Sequence, residues 1–192
     1  CLYQAQQAML DLFRNFPNRI FATKMKLFVF PYGKKFRRPS DKLEAQICKS
    51  LISNSDTRQW MKDKCYIPND DNDLYDLLGK ASVLYIPMDF SKKSVRSIRL
   101  SYLTKQPLYM SLGVPLIVHG PETIHVVEHA QAHGYADVVT DPSLDALVQS
   151  ILNHINDYEK FIEQTNFGLA YAKENHCIEK VQKSLYKRLL QT

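Results

Sequence analysis

The segment from Leu100 to Gly120 contains the residues whose types and spacing best suit chemistry on an anion. Its pattern predicts a loop, a helix with Lys105 in the first turn, a stop at Gly113 and a buried strand over 114–118. A helix N-terminus presents free backbone N–H groups and the positive end of the helix dipole. Because a lysine there adds a full charge, the segment predicts a phosphate-binding site.

Neighbouring residues could share in such a site. A guanidinium can bind two phosphate oxygens at once, so Arg96 and Arg99 in the preceding basic stretch are candidates. Thr104 could touch a phosphate or only cap the helix, and Tyr102 could stack on a base or fill the core. Gly33 follows an apolar strand and permits close approach of a ligand to the backbone, although a turn explains it equally well.

A second group of candidates follows the strand over 114–118. Glu122 and Thr123 lie where the carboxyl end of a parallel strand would meet a ligand. The next residues, His125–His129, spell HVVEH, the H-x-x-E-H pattern of inverted zinc peptidases. Two imidazoles four residues apart share one helix face and could bind zinc, and His133 extends the stripe. The alternative is a helix whose two valines pack on the sheet.

Length, charge and cysteine usage limit the classes of protein to consider. The 192 residues suffice for one α/β domain but not for two Rossmann-type domains. A net charge of +5 is below that of a dedicated nucleic-acid binder and suits anionic ligands or an anionic membrane surface. Four widely spaced cysteines without C-x-x-C predict reduced thiols and a cytoplasmic protein. Since no apolar run approaches roughly 18 residues, any membrane contact is expected to be peripheral.

Apolar runs and chain breakers predict alternating strands and helices. Continuous apolar strands are typical of a parallel sheet that is covered on both faces. We therefore expect an α/β, Rossmann-like, doubly wound parallel sheet with a helical extension over 155–192. The predicted strands are 25–30, 65–67, 82–86, 115–118 and 136–140. The predicted helices are 2–15, 41–53, 72–78, 104–112, 122–132, 143–155 and 157–191, the last broken near 174–176, while 88–99 is predicted to be a loop.

From about Asn69 onward, the order of short motifs resembles the C-terminal, nucleotide-sugar-binding domain of GT-B glycosyltransferases. DLYDLL followed by ASVLYIP is similar to D-L-Y…A-D-V-x-V-x-P, and Lys105 with GVP is similar to K…G-V-P. Asp141 and Leu144 match a closing D-x-x-x-L helix. Upstream, FPNRIFATKMKLFVFPYG is similar to the family's second strand and its following glycine, so the resemblance covers nearly the whole chain.

One departure assigns a subgroup within that resemblance. Leu108 stands where many retaining members carry a glutamate that holds the donor ribose. The pattern K-x-x-L-Y-M is instead similar to galactofuranosyl- and glucosyltransferase-like sequences. The first residue is Cys1, and the chain is expected to be processed or to be a piece of something longer.

The resemblance implies one donor-binding domain over 1–192, half of a GT-B enzyme. The acceptor domain, N-terminal in the family, is then absent and would come from a missing domain or a partner subunit. The implied donor is a nucleotide-diphosphate sugar, UDP-linked, and the acceptor a glycan or lipid-linked glycoconjugate in polysaccharide biosynthesis, with no cofactor or essential metal. The catalytic residue is unassigned. The implied diphosphate-binding residues are Lys105, Thr104, Arg99 and Arg96. The implied sugar and nucleotide loops contain Gly33, Tyr102, Glu122 and Thr123.

Two alternatives to a transferase stay open. The chain could be a non-catalytic module that binds a nucleotide sugar or serves as a scaffold. It could also be a zinc peptidase that uses HVVEH. A nucleic-acid role has no motif to support it.

Overall fold

The computed structural model describes residues 70–190 and two short strands that precede them, β1 (Leu27–Phe28) and β2 (Cys65–Tyr66). The chain divides into two compact units between Leu77 and Leu78. In the first unit β1 pairs with β2 in parallel, with Leu27 opposite Cys65. Both strands fall within predicted strands, whereas the predicted helices over 2–15 and 41–53 and the residue Gly33 lie outside the described residues.

From residue 70 onward, one or two helices separate successive strands, and three helices follow the last strand. The elements in chain order are α1 (Asp71–Gly79), β3 (Leu84–Pro87), α2 (Lys92–Ile98), α3 (Lys105–Ser111), β4 (Leu116–His119), α4 (His125–His133), β5 (Asp137–Val139), α5 (Leu144–Asn156), α6 (Glu159–Asn175) and α7 (Ile178–Leu189).

Three strands form a parallel sheet in the order β3-β4-β5. Leu84 pairs with Leu116, and Val118 pairs with Val138. All four residues of the central strand β4 are buried, which explains its continuous apolar run. Helix α4 packs on β4 and β5, and α5 packs on β5. The structure confirms an α/β fold with a parallel sheet, and this part of the chain is compatible with a partial Rossmann-like fold.

The core lies between this sheet and α4 and α5. Ile117, Val127 and Leu147, one from each of these layers, have no exposed surface. Burial of each such side chain favours folding by roughly 1.5–3 kcal/mol. Gly113 and Gly134 end α3 and α4 with φ of 65° and 64°, a conformation that residues with a Cβ rarely adopt. Both glycines stop the helices at the predicted positions.

Helix α2 corrects the prediction of a loop over 88–99. Its sequence, KKSVRSI, is basic and lacks an apolar face, so no periodicity indicates a helix. The hydroxyl of Ser91 accepts a hydrogen bond from the N–H of Ser94 at 3.3 Å and caps the N-terminus. The prediction is wrong because it relied on periodicity and overlooked this cap.

The C-terminal segment folds as two helices. Helix α6 packs on α3 and contacts α7. The break between α6 and α7 falls at His176 and Cys177, close to the predicted one. None of the helices within 70–190 is both long enough and apolar enough to cross a bilayer.

Candidate functional site

The carboxyl end of the central strand carries a buried histidine, His119, which is 6 % exposed. Its Nε2 lies 2.8 Å from the backbone oxygen of Asp141 and can only donate to it. Its Nδ1, 3.0 Å from the hydroxyl of Tyr85, then accepts from that hydroxyl. Burial lowers the pKa of His119, against the opposite effect of Asp141. These contacts fix one neutral tautomer, assigned here from its two partners.

An aspartate follows the neighbouring strand at the same end of the sheet. The carboxylate of Asp89 accepts from the N–H of Ser91 at 2.8 Å and from the hydroxyls of Ser91 and Ser94. Burial alone would raise the pKa of Asp89, but the hydrogen bonds from Ser94 and Ser91 outweigh burial and lower it. Asp89 therefore stays ionised and joins the sheet to the start of α2.

The loop after β4 leaves no open space beside Gly120. A Cβ at Gly120 would lie 2.5 Å from the Cβ of Met88 and 3.3 Å from a methyl group of Val127. The polar atoms of His119 and Asp89 already form hydrogen bonds with other groups of this chain. This edge of the sheet is therefore filled by the protein's own residues. The described residues there form a structural core rather than an open ligand cleft.

The four predicted phosphate-binding residues lie between the end of α2 and the start of α3. Lys105 is the first residue of α3 and is half-buried, and burial lowers its pKa. Thr104 occupies the N-cap position but makes no side-chain capping bond, so the predicted capping role is wrong. Arg96 and Arg99 are exposed, and the backbone oxygen of Arg99 accepts from the N–H of His125 at 2.8 Å. Their role in binding an anion stays a prediction.

Glu122 and Thr123 lie in the exposed turn that leads into α4. The turn is closed by a hydrogen bond from the N–H of Ile124 to the oxygen of Pro121 at 3.1 Å. The contact of Glu122 and Thr123 with a ligand stays a prediction.

A cluster of imidazole and phenol rings, the histidine–tyrosine cluster, surrounds the outer face of α4. Its central residue is His129, whose Nδ1 lies 2.8 Å from the hydroxyl of Tyr135 and whose Nε2 lies 3.2 Å from that of Tyr171. The amide of buried Gln106 donates to Tyr135 from α3. The members of the cluster are Tyr102, His125, His129, His133, Tyr135, Tyr171 and His176.

Tyr102 belongs to this cluster and is 39 % exposed, so it does not fill the core, and its stacking on a base stays a prediction. Its hydroxyl lies 3.1 Å from Nε2 of His176, at the end of α6. Its ring centroid lies 5.9 Å from that of His129. The cluster thereby joins three segments that are distant in sequence: the loop before α3, helix α4 with the turn that follows it, and the end of α6.

Electrostatics inside the cluster disfavour positive charge. Burial lowers the pKa of His129, and the neighbouring imidazoles of His133, His125 and His176 lower it further. Burial and Tyr171 raise the pKa of Tyr102. Positive charge on His129, at the centre of the cluster, is therefore disfavoured.

The geometry of α4 explains why HVVEH is not a zinc site. Both ring nitrogens of His129 face tyrosine hydroxyls, and Glu128 is exposed. Among residues 70–190 no three His, Cys, Asp or Glu side chains are grouped so that they could hold a metal ion. The stripe of three histidines could be seen in the sequence, but its tyrosine partners could not, because they come from other elements.

Comparison with known families supplies the class of protein. Residues 1–108, more than half of the chain, match the family described as acyl-CoA dehydrogenase, C-terminal, bacterial type. The chain belongs to this family of acyl-CoA dehydrogenase C-terminal domains. The match ends within α3, so β4, β5 and the helices from α4 onward lie beyond it.

This membership corrects the identification made from short motifs. The resemblance to a GT-B glycosyltransferase is wrong, and with it the transferase activity, the UDP-linked donor, the glycan acceptor and polysaccharide biosynthesis. The non-catalytic nucleotide-sugar module and the zinc peptidase are wrong for the same reason. The family indicates an oxidoreductase and fatty-acid or acyl-CoA metabolism.

The prediction that no cofactor is needed is also wrong for this family, since acyl-CoA dehydrogenases normally use FAD. The carboxyl edge of the described sheet does not fit a flavin dinucleotide. Met88 fills the space beside Gly120, and the carboxylate of Asp89 would repel a pyrophosphate there. This edge of the described sheet is therefore not a flavin site.

Proposed function

We propose that this chain acts in acyl-CoA metabolism as the C-terminal part of an acyl-CoA dehydrogenase, where it binds the CoA portion of the substrate. The observation that carries the proposal is the family match over residues 1–108. CoA is anionic, because it carries a diphosphate and a further ribose phosphate. A surface that binds it needs cations within reach of several phosphate oxygens.

Helix α2, inside the matched segment, offers such a surface. Lys92, Arg96 and Arg99 are spaced four and three residues apart, so they share one face of α2 and its last turn. All three side chains are exposed. Within α2 itself there is no acidic residue to neutralise them. An arginine guanidinium can donate two parallel hydrogen bonds to two oxygens of one phosphate. This face of α2 therefore favours a phosphate ligand over a neutral one.

Lys105 and Thr104 extend this surface toward α3. Lys105 loses part of its hydration on burial, which strengthens its attraction to an anion that reaches it. Thr104 has a hydroxyl that is not used as a helix cap and can donate to a phosphate oxygen. The four residues predicted to bind a diphosphate thus keep that chemistry, with CoA in place of a nucleotide sugar.

Calorimetric titration of the full chain with CoA tests the proposal. The double variant Arg96→Ser/Arg99→Ser should bind CoA at least about tenfold more weakly, since each charge-assisted contact contributes on the order of 1.5–3 kcal/mol. Desulfo-CoA should bind like CoA, whereas a CoA lacking its ribose phosphate should bind more weakly.

The matched control removes two cations from another helix. Lys183→Ser/Lys187→Ser on α7 lowers the net charge equally and should leave CoA affinity unchanged. Equal loss in both double variants would show only a general charge effect and would contradict a site on α2. Absence of CoA binding by the unmodified chain would contradict the proposed function itself.

A further inference from the structure

The last helix, α7, exposes a continuous apolar face. Ile178, Val181 and Leu185 recur at intervals of three and four residues, so they form one stripe along the helix. Ile178 is 65 % exposed and Leu185 is 54 % exposed. No residue of α7 is buried. Exposure of such an apolar stripe to water is unfavourable, so we expect another surface to bury it.

Two further apolar side chains lie beside this stripe. Tyr186 is largely exposed, and Leu190, which follows the helix, is 85 % exposed. On a helical wheel both lie on the same side of the stripe, where Gln182 and Glu179 interrupt the apolar surface.

The rest of α7 is basic, with Lys183 and Lys187 opposite the stripe and Arg188 at its edge. Lys183, Lys187 and Arg188 are exposed, and the sole acidic residue of α7 is Glu179. Lys180 forms an ion pair with Glu174 of α6 and anchors the start of α7. The remaining positive charge of α7 therefore lies toward the C-terminal half of the helix.

We propose that α7 lies in the interface of an anionic lipid bilayer, with its apolar face among the acyl chains and its lysines at the headgroups. The positive charge of α7 favours an anionic bilayer over a second copy of this helix. A second copy of α7 would bring the same cations together, whereas an anionic surface attracts each of them. A basic helix with a polar and an apolar face is the form that binds such interfaces. The proposal does not rest on CoA binding, because it concerns different residues.

Sedimentation of the full chain with vesicles tests this proposal. The chain should bind vesicles of mixed phosphatidylcholine and phosphatidylglycerol, and should bind phosphatidylcholine alone weakly. Lys183→Gln/Lys187→Gln should lower the partition coefficient roughly twenty-five-fold, since each cation contributes about fivefold at an anionic surface. Val181→Ser/Leu185→Ser should lower it at least as much by removing apolar contact.

Two controls keep the outcome decisive. Arg96→Ser/Arg99→Ser removes the same charge from α2 and should leave vesicle binding unchanged, and circular dichroism should show that all variants keep their helices. Equal loss in the α2 and α7 charge variants, or no binding to anionic vesicles, would overturn the proposal. A lipid-independent dimer in sedimentation velocity, abolished by Val181→Ser/Leu185→Ser, would overturn it in favour of self-association through α7.

Discussion

At the residue scale, Gly120 shows how tightly the carboxyl edge of the sheet is packed. A methyl group there would meet the Cβ and Cγ of Met88 at 2.5 and 3.0 Å. The Cβ of Met88 is tied to the backbone and cannot swing away. We expect Gly120→Ala to lower the free energy of unfolding by about 1–3 kcal/mol, the usual cost of overpacking a core. Urea unfolding of the two proteins measures this difference.

A second glycine supplies the control for that substitution. Gly79 ends α1, and a Cβ at Gly79 would meet no atom within 4 Å. Gly79→Ala should therefore leave stability unchanged or raise it slightly, because alanine restricts the unfolded chain. Equal destabilisation by both substitutions would mean that packing by Met88 is not the cause.

Single residues also explain why the short motifs misled the functional prediction. The positive φ at residue 113, at the end of α3, requires the glycine of the GVP motif. The residues that follow it enter a buried strand. A helix that ends in glycine and leads into a parallel strand occurs throughout α/β proteins. The motif therefore reports local geometry and carries no information on the ligand.

At the scale of single helices, two N-cap residues with different geometry give different predictions for the effect of substitution on stability. Ser143 caps α5 with its hydroxyl, which accepts from the N–H of Ala146 at 3.3 Å. Ser143→Ala should lower the free energy of unfolding by about 1 kcal/mol through loss of that bond. Thr104 makes no such bond at the start of α3, so Thr104→Ala should change stability little.

Thermal unfolding of these two variants distinguishes a cap from a residue that merely occupies the cap position. Both substitutions shorten an exposed side chain, so the comparison is matched. If Thr104→Ala cost as much stability as Ser143→Ala, the difference in capping geometry would be without effect and this account of the two helices would fail.

The order of helices and strands from α1 onward could be predicted from apolar runs and from the stops at Gly113 and Gly134. Helix α2 could not, because its formation depends on Ser91 and Asp89 rather than on an apolar face. The histidine–tyrosine cluster was foreseen only in part. The spacing of His125, His129 and His133 shows one stripe, but the contacts with Tyr135, Tyr171 and His176 depend on tertiary structure.

At the scale of the whole molecule, buried histidines make stability depend on pH. Burial is the first cause that lowers the pKa of each of four imidazoles in the folded chain. In the unfolded chain they regain a pKa of about 6.5 and bind protons that the folded state excludes. The free energy of unfolding should therefore fall as pH falls below about 6.5 and stay highest above it. The four are His119, His129, His154 and His176.

Urea unfolding at about pH 7.5 and about pH 5.5 measures this dependence, because the interval spans the titration of an ordinary histidine. The variant His129→Gln should lose less stability across the interval than the unmodified chain, since glutamine keeps hydrogen-bonding capacity without titrating. If stability were constant or rose on acidification, the lowered pKa values of these histidines in the folded chain would be contradicted.

The family is the property that the sequence patterns alone did not reveal. Membership depends on residues 1–108 compared as a whole, whereas the short motifs comprise only a few positions on either side of Lys105. The chemistry of the ligand and the class of the protein also depend on different observations. The basic segment around Arg96 and Arg99 supports only the proposal of an anionic ligand, and the family adds acyl-CoA metabolism to that proposal.

One titration tests the central claim most directly, that the chain serves acyl-CoA metabolism. The unmodified full chain is titrated with CoA and, in parallel, with UDP, in the same buffer without added metal. Both ligands carry a diphosphate, so the comparison separates recognition of CoA from attraction to any phosphate. We expect saturable binding of CoA that weakens in Arg96→Ser/Arg99→Ser, and no comparable binding of UDP. Binding of UDP without binding of CoA would contradict the claim.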